Sequence, residues 1–337
     1  MVGRADRVPA VELSLSPTSP GLDAPTLVEL CVVAESLGYR SAWAAEVAGP
    51  GAFALLGAVA DRTTSLDLGV AVVAATTRSP AMLGMEAATV SQLLGGRTFW
   101  LGIGSSSRFI LDSWHGAPFD PALGRVREAV AATQALLGGA REFHGEHVRV
   151  SRFALTSVPA GPVRVAVGAL GPGMLAVAGA VGDGVCLNLM PPGLVPRQRA
   201  AVLAGAAAAG RVLPDHFRIM ARLHAVPTDD LSAGREMVRS GFGPYFGQPV
   251  YNRFLAWMGY PEEAAAIAAA FAAGDRDGVD KAMHDGIVDA VALVGRIGRI
   301  RERLDEYAAA GLDIAALNVI APSAGEVADT LKALRPL

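Results

Sequence analysis

The sequence predicts an α/β fold in which eight parallel strands close into a (β/α)8 TIM barrel. Short apolar runs alternate with longer amphipathic segments, which is the pattern of a parallel sheet covered by helices. The alternation repeats eight times without a block of different composition, so we expect residues 1–337 to form one barrel domain. The predicted strands are residues 11–16, 41–45, 65–74, 98–104, 164–169, 184–188, 217–226 and 313–320.

Start and stop signals place a helix after each strand. Asp23 or Thr26 precedes the first helix and Gly38 follows it, while the third helix begins at Pro80 and is followed by Gly95. Polar caps and proline favour helix starts, and glycine favours helix ends. The predicted helices are residues 27–37, 53–60, 80–94, 123–137, 174–181, 196–209, 232–240 and 325–334.

Two segments exceed the minimal barrel. Residues 142–150 alternate in polarity and predict a small hairpin. Residues 241–286 form an insertion between the seventh and eighth strands, where a long segment usually has a function. One interpretation is a roof over a site, and the other is a subunit interface or an extra packed helix pair. The insertion holds the densest aromatic cluster: Phe242, Tyr245, Phe246, Tyr251, Phe254 and Trp257.

Composition excludes several classes of protein. Hydrophobic residues make up 52% of the chain and charged residues 18%, but no run approaches the ~20 apolar residues of a membrane span. The net charge of −3 without a basic run argues against a nucleic-acid partner. The segment around Arg4 and Arg7 has no apolar signal sequence. Cys31 and Cys186 have neither metal nor disulfide spacing, so we expect two core cysteines and a cytoplasmic location.

In a TIM barrel the site lies at the carboxyl ends of the strands. These ends carry neither a Ser-His-Asp set nor a cluster with metal-ligand spacing, so no metal site is predicted. His144 and His147 share the predicted hairpin and are expected on the surface. His115, beside Trp114, is the histidine we place nearest to a strand end. It is a candidate for proton transfer, and the competing interpretation is a packed loop histidine.

Glycines and hydroxyls dominate two of these strand ends. Gly102, Gly104 and residues 105–107 follow the fourth strand, and residues 168–173 lead directly into a helix. Glycine lets a ligand approach backbone N–H groups, and a helix N-terminus favours phosphate. This layout suits a phosphorylated cofactor with a planar ring, although such turns also occur in barrels for geometric reasons. The G-x-G-x-x-G dinucleotide signature is absent after the first strand.

A series of short motifs spans nearly the whole chain in a specific order. The motifs are AESLGY (34–39), AWAAE (42–46), LGVAV (68–72), TRSP (77–80), LLGGR (93–97), LGIG (101–104), WHG (114–116), GALGPGM (168–174), GDGV (182–185) and YNRF (251–254). This series resembles the luciferase-like monooxygenase superfamily. Within it, the chain is most similar to the actinobacterial branch that uses the deazaflavin coenzyme F420.

The resemblance implies roles for particular residues. A non-prolyl cis peptide at Ala71–Val72 would make a bulge that backs the cofactor ring, and Glu46 would contact the ring or the substrate. Apart from the resemblance, the aromatic content of the insertion itself leads us to expect Tyr245, Tyr251 and Trp257 in the substrate pocket. The implied contacts to the ring, its side chain and the phosphate are Gly104, Ser105, Ser107, Gly168, Ala169, Gly171, Pro172, Gly173 and Met174.

The chain departs from the family pattern directly after Glu46. Many relatives have a histidine there that serves acid–base chemistry, whereas this chain has Val47. The departure argues against a sugar-phosphate or secondary-alcohol dehydrogenase mechanism. Glu46 also has a purely structural interpretation, a salt bridge to Arg78 at the neighbouring strand end. The candidates for handling the proton are Glu46, Ser105, Ser107, His115 and Tyr251.

Three functions compete on this basis. The first is F420-dependent hydride transfer that reduces an activated C=C or C=N bond of a small-molecule or peptide-like substrate. The second is an FMN-dependent two-component monooxygenase, because the same barrel binds FMN in relatives. The third is a non-catalytic cofactor-binding barrel, which Val47 favours and the phosphate-turn glycines oppose. The resemblance also implies a homodimer.

Overall fold

The computed structural model describes residues 11–18 and 21–336. Each of the eight predicted strands is present in it. The strands are β1 Glu12–Leu15, β2 Ser41–Ala44, β3 Asp67–Ala74, β4 Phe99–Gly104, β5 Phe143–His144, β6 Arg149–Val150, β7 Val163–Gly168, β8 Gly184–Asn188, β9 Arg218–Pro227, β10 Ala292–Gly295 and β11 Ile314–Val319. The segment around Arg4 and Arg7 lies outside the described residues.

Eight of these strands close into a parallel barrel. Their order is β9-β11-β1-β2-β3-β4-β7-β8, and β8 pairs with β9 to close the ring. All eight pairings are parallel, as the alternation of strands and helices requires. The predicted (β/α)8 TIM barrel is therefore confirmed. In the described part of the chain, no helix combines the length and apolarity needed to cross a membrane.

Helices follow the strands as the capping signals predict. The carboxylate of Asp23 accepts the Thr26 N–H at 3.0 Å, so the first helix begins three residues earlier than predicted. The helices are α1 Ala24–Ser36, α2 Ala52–Arg62, α3 Pro80–Leu94, α4 Arg108–Ile110, α5 Ala122–Leu137, α6 Pro172–Val181, α7 Val195–Ala208, α8 Leu231–Gly247, α9 Pro249–Met258, α10 Pro261–Ala272, α11 Arg276–Ala282, α12 Asp285–Val291, α13 Ile297–Ala309 and α14 Ala324–Leu334.

Large aromatic side chains fill the barrel interior. The rings of Trp43 and Trp100 lie 5.9 Å apart, and a Cβ on Gly69 would lie 2.4 Å from the Trp43 ring. Glycine at this position is therefore required by a close approach. Cys31 and Cys186 are free and buried, as predicted, and burial raises the pKa of each thiol to about 12.

The segment between β9 and β11 is larger than the predicted insertion at 241–286. Helix α8 continues to Gly247, and helices α9 to α12 pack around a second hydrophobic cluster that includes Phe246, Leu255 and Ile267. Strand β10 and helix α13 were not predicted. An unbroken apolar run connects α12 to β10, so periodicity alone does not separate the two elements. Residues 218–222 of β9 pair with β8, and residues 224–227 pair with β10. The two partners therefore lie one after the other along the same edge of β9.

The predicted hairpin is present as the antiparallel pair β5–β6. A buried carboxylate, Glu128 on α5, accepts the backbone N–H groups of Glu146, His147 and Val148 at 2.7–3.1 Å. Burial raises the pKa of Glu128, but these three hydrogen bonds outweigh it, and the pKa is lowered overall. His144 is on the surface as predicted, whereas His147 packs against α5 and its side chain is only 14% exposed. The surface prediction was wrong for His147.

Helices α6 and α7 approach each other through two glycines. A Cβ on Gly205 would lie 2.2 Å from the carbonyl oxygen of Ala176, and a Cβ on Gly179 would lie 1.9 Å from that of Val202. Both neighbours are backbone atoms, which cannot rotate away. Helix α6 begins at the glycine-rich turn that follows β7, so this contact also sets the position of that turn.

We predict that Gly205→Ala destabilises the fold by about 1–3 kcal/mol, because overpacking against backbone forces the two helices apart. The matched control is Gly84→Ala in α3, where no atom lies within 4 Å of the new methyl group. That change is expected to be neutral or stabilising by up to about 1 kcal/mol, because alanine has the higher helix propensity. Thermal and urea denaturation measure both. Equal stability of the two variants would contradict this account of the packing.

Candidate active site

A cavity of about 830 Å³ opens at the carboxyl ends of the barrel strands. It is lined by the ends of strands β2, β3, β4, β7, β8 and β9, and by residues of helices α8 and α9. With one exception, His115, the residues expected at the site all line this cavity. They are Glu46, Ala71, Val72, Gly104, Ser105, Ser107, Gly168, Ala169, Gly171, Pro172, Gly173, Met174, Tyr245, Tyr251 and Trp257.

Strand β3 carries a bulge at the wall of the cavity. Val70 pairs with Leu101 and Val73 with Ile103, so β3 has one residue more than β4 over this interval. The extra residue falls at Ala71–Val72, where the peptide bond is cis, as the resemblance implied. Both residues of the bulge line the cavity.

Three glycines on the neighbouring strands surround the Val72 side chain. A Cβ on Gly104 would lie 2.6 Å from a Val72 methyl carbon, and one on Gly102 or Gly168 would lie 2.9–3.0 Å from it. The glycines of the LGIG and GALGPGM motifs are therefore needed to make room for the bulge. Because Gly104 and Gly168 also line the cavity, the same positions leave their backbone open to a ligand.

We predict that Gly104→Ala lowers the melting temperature because its new methyl group clashes with Val72. Adding Val72→Ala removes the clashing methyl groups, so the double variant is expected to be more stable than additivity of the two single changes predicts. The control is Gly171→Ala, where no atom lies within 4 Å of the new methyl group. If the losses of stability in the two single variants simply add in the double variant, the Val72 methyl groups are not what excludes a side chain at position 104.

The turn after β7 has the geometry of a phosphate site. Gly171 is the N-cap of α6 and provides no side-chain hydrogen bond to the helix. The first helical hydrogen bond runs from the Leu175 N–H to the Gly171 carbonyl, so the N–H groups of Gly173 and Met174 precede it. Both residues line the cavity. Unpaired N–H groups at a helix N-terminus attract anions, phosphate in particular.

Glu46 lines the cavity and is also ion-paired. Both of its carboxylate oxygens accept from the guanidinium of Arg78, at 2.6 and 3.0 Å, and one also accepts the Ala52 N–H at 3.2 Å. Arg78 contacts Glu86 as well, at 3.0 Å, and its hydrogen bond with Glu46 raises the pKa of the guanidinium. The salt bridge to Arg78 is therefore confirmed, and it orients the carboxylate at the cavity wall, while a contact of Glu46 with a ring or substrate stays a prediction.

His115 does not join the site. It lies at the end of a π-helical turn, Leu111–His115, which ends at Gly116 in a left-handed conformation. The residue is exposed and is not part of the cavity lining. Because His115 lies outside the cavity lining, the structure gives no support to its assignment as a catalytic residue.

Sequence reasoning missed a polar network inside the barrel, which reaches the cavity at Arg222 on β9 and at Asn188 on β8. Its Nε donates to the Ser16 hydroxyl at 3.1 Å, and its Nη2 donates to the Thr18 hydroxyl at 2.5 Å. Burial lowers the pKa of Arg222 to about 10. A signal was available: Met220 faces the barrel interior, and strand periodicity places Arg222 and His224 on the same face.

His224 is a buried histidine behind the cavity wall. Asn318 donates its amide N–H to His224 Nδ1, and Nε2 donates to the Asn188 side-chain oxygen, both at 2.9 Å. We assign this tautomer because the Asn318 amide oxygen already accepts from the Thr18 hydroxyl. Burial and the nearby Arg222 lower the pKa of His224 well below its usual range, so the ring is neutral. The ring of Phe242, a residue of the insertion, lies 4.5 Å from the His224 ring.

Within residues 11–18 and 21–336, one group of acids and histidines is close enough to share a metal ion. It consists of Glu128, Glu146 and His147, whose ligand atoms lie within 4.8 Å of one another. None of them lines the cavity. The Glu128 carboxylate already accepts the three hairpin N–H groups, so the group is explained as an anchor for the hairpin.

The insertion contributes the aromatic side of the cavity. The rings of Tyr245 and Tyr251 meet edge to face at 5.4 Å, and the Trp257 ring is covered by the Arg197 guanidinium at 4.2 Å. Asn252 fastens α9 by donating to the carbonyl oxygens of Phe246 and Ala264. Both interpretations of the aromatic cluster are therefore partly right, because the insertion has its own packed core and also lines the cavity.

Comparison with known proteins finds one matching family and several similar relatives. The family model described as luciferase-like monooxygenase matches residues 10–313. A protein of Mycobacterium tuberculosis, provisionally named a coenzyme F420-dependent oxidoreductase, is 28% identical, with 89% of this chain and 92% of that protein covered. The 5,10-methylenetetrahydromethanopterin reductase of Archaeoglobus fulgidus is also 28% identical, with 83% of this chain and 85% of the reductase covered.

A solved structure shares the fold over almost its full length. It is the coenzyme F420-dependent tetrahydromethanopterin reductase from Methanopyrus kandleri, with a TM-score of 0.78. The match covers 96% of this chain and 97% of the reductase at 20% sequence identity. At this identity the likeness concerns the fold.

Proposed function

Because the chain belongs to the luciferase-like monooxygenase family, we propose that it is an oxidoreductase that binds coenzyme F420 and reduces an activated C=C or C=N bond. One observation carries the proposal. The same cavity has a bulge seated among glycines at one wall and the uncapped N-terminus of α6 at another. A planar ring fits against the first, and a phosphate fits the second. The names of the mycobacterial relative and of the Methanopyrus kandleri structure support F420 as the cofactor.

In this proposal each part of the site has a role. Ala71, Val72 and Gly104 back the ring, with Ser105 and Ser107 beside it. When bound in its reduced form, the deazaflavin supplies a hydride to the substrate. The turn that holds the phosphate consists of Gly168, Ala169, Gly171, Pro172, Gly173 and Met174.

The reduction also requires one proton. Many relatives have a histidine for acid–base chemistry directly after the position of Glu46, whereas this chain has Val47 there. Burial raises the pKa of Tyr251 to about 12, so its hydroxyl stays protonated at neutral pH. Among the described residues it has no hydrogen-bond partner, and the residue lines the cavity. Ser107, by contrast, accepts the Ile110 N–H and caps a helix. We therefore propose Tyr251 as the proton donor, with Glu46 held by Arg78 as the acidic contact to ring or substrate.

The proposed substrate pocket is formed by Tyr245, Tyr251 and Trp257. These side chains come from α8 and α9 and cover the mouth of the barrel from the side of the insertion. A mostly apolar wall of this kind excludes water from the hydride-transfer step and favours a conjugated substrate body.

The proposed partners and location rest on exposed apolar side chains, net charge and the state of the cysteines. We propose a homodimer, for which exposed apolar side chains on α3, at Met82, Met85 and Leu93, offer a surface. A net charge of −3 argues against a nucleic-acid partner. Two free, buried cysteines fit a reducing cytoplasm.

The cofactor prediction is tested by titrating the protein with F420 and FMN in parallel and following fluorescence quenching. We expect F420 to bind at least tenfold more tightly than FMN. The reverse order, together with oxygen-dependent turnover, would favour the two-component monooxygenase. Binding of F420 without oxidation or reduction of it by any tested substrate would favour a non-catalytic barrel. The absence of binding to either cofactor would refute the proposal.

The role of Tyr251 is tested with Tyr251→Phe in the reduction of a cyclic enone, 2-cyclohexenone, by reduced F420. We expect turnover to fall at least tenfold, because general acid catalysis commonly contributes 10²–10⁴-fold. The affinity for F420 should change little. The control is Tyr260→Phe, which alters a tyrosine of the same insertion that does not line the cavity. Equal turnover of Tyr251→Phe and wild type would remove Tyr251 from the mechanism.

A further inference from the structure

Arg222 lies across the barrel mouth from the proposed ring site. In the closed ring of eight strands, β9 is four strands away from β3 in either direction. The guanidinium on β9 therefore faces the bulge at Ala71–Val72 from the opposite wall of the cavity. A substrate stacked on a ring that rests against the bulge would lie between the two.

The guanidinium of Arg222 is held firmly by neutral groups. Its Nε and Nη2 donate to the hydroxyls of Ser16 and Thr18, and Thr18 in turn donates to the Asn318 amide oxygen. Within the described part of the chain, Nη1 has no acceptor and no carboxylate bonds to any of the three nitrogens. The side chain is thus oriented for binding, while both N–H groups of Nη1 and the second N–H group of Nη2 remain available to the two oxygens of a ligand.

The charge of Arg222 has no counter-ion in the cavity wall. Two acidic residues line the cavity, and each is already paired: Glu46 with Arg78, and Asp120 with Arg108. Although burial lowers the pKa of Arg222, the value of about 10 leaves the guanidinium protonated at neutral pH. A half-buried cation without a charged partner is unfavourable, and an anionic ligand would offset that cost.

We propose that Arg222 is a substrate-anchoring residue that binds the carboxylate of an organic acid whose apolar body lies against the aromatic wall. This inference rests on the proposed function, since it names the substrate class of the same site. A carboxylate matches the single guanidinium, whose planar donors suit two oxygens. The hydroxyl of Tyr245, which lies close enough to interact with its charge, adds a further donor and leaves Tyr251 to its proposed role as proton donor. Phosphate has its own place at the N-terminus of α6.

The probes for this proposal are trans-cinnamate and its neutral isostere cinnamamide, titrated calorimetrically into the protein with and without saturating F420. We expect wild type to bind cinnamate at least tenfold more tightly than cinnamamide. Arg222→Met should abolish that preference, and Arg222→Lys, which keeps the charge but not the fork, should retain part of it. The matched control is Arg253→Met, because Arg253 also lines the cavity but is exposed. This control should keep the full preference.

Three results would overturn the proposal: equal affinity of wild type for both probes, a carboxylate preference that survives Arg222→Met, or a loss that Arg253→Met reproduces. A tenfold loss of F420 affinity in Arg222→Met would also overturn it, since Arg222 would then hold the cofactor. A wild-type protein that does not bind F420 would refute the proposed function, and this result is independent of the carboxylate titrations. The titrations without cofactor then still decide whether Arg222 binds a carboxylate. Melting temperatures of all variants establish that each is folded.

Discussion

The seating of Val72 among Gly102, Gly104 and Gly168 is the contact on which the shape of the cavity depends. The bulge pushes a side chain toward two neighbouring strands, and those strands accept it only because they lack side chains at the three positions. Had β4 and β7 carried alanine there, the strands would have to separate. The wall that we assign to the ring is therefore built by three strands together, and no single motif encodes it.

Charge is distributed unevenly around this cavity. On the β2–β3 side, Glu46 and Arg78 neutralise each other in a two-point ion pair. On the opposite side, Arg222 is supported by the hydroxyls of Ser16 and Thr18 and keeps its charge. The neutral, fully bonded His224 lies behind it and adds no second positive charge. A neutral wall facing a positive one orients a substrate whose ends differ in charge.

The insertion connects packing to the site. Helices α8 and α9 contribute to two cores: Phe246 and Leu255 lie in the cluster of the insertion, while Phe254 packs in the barrel core. Asn252 ties α9 to both α8 and α10 through two backbone carbonyls. Tyr245 and Tyr251 are thereby held over the cavity by helices that pack both on one another and on the barrel.

The sequence by itself determined the barrel and its eight strands, because strand periodicity, capping residues and glycine runs are local signals, while the family resemblance supplied the cofactor contacts expected at the cavity. It did not identify β10, since an apolar run continues across a helix and a strand. It misplaced His115 and His147, and overlooked Arg222, because the position of a polar side chain depends on partners far away in the chain. Ser16 and Arg222 are 206 residues apart, and only closure of the barrel brings them together.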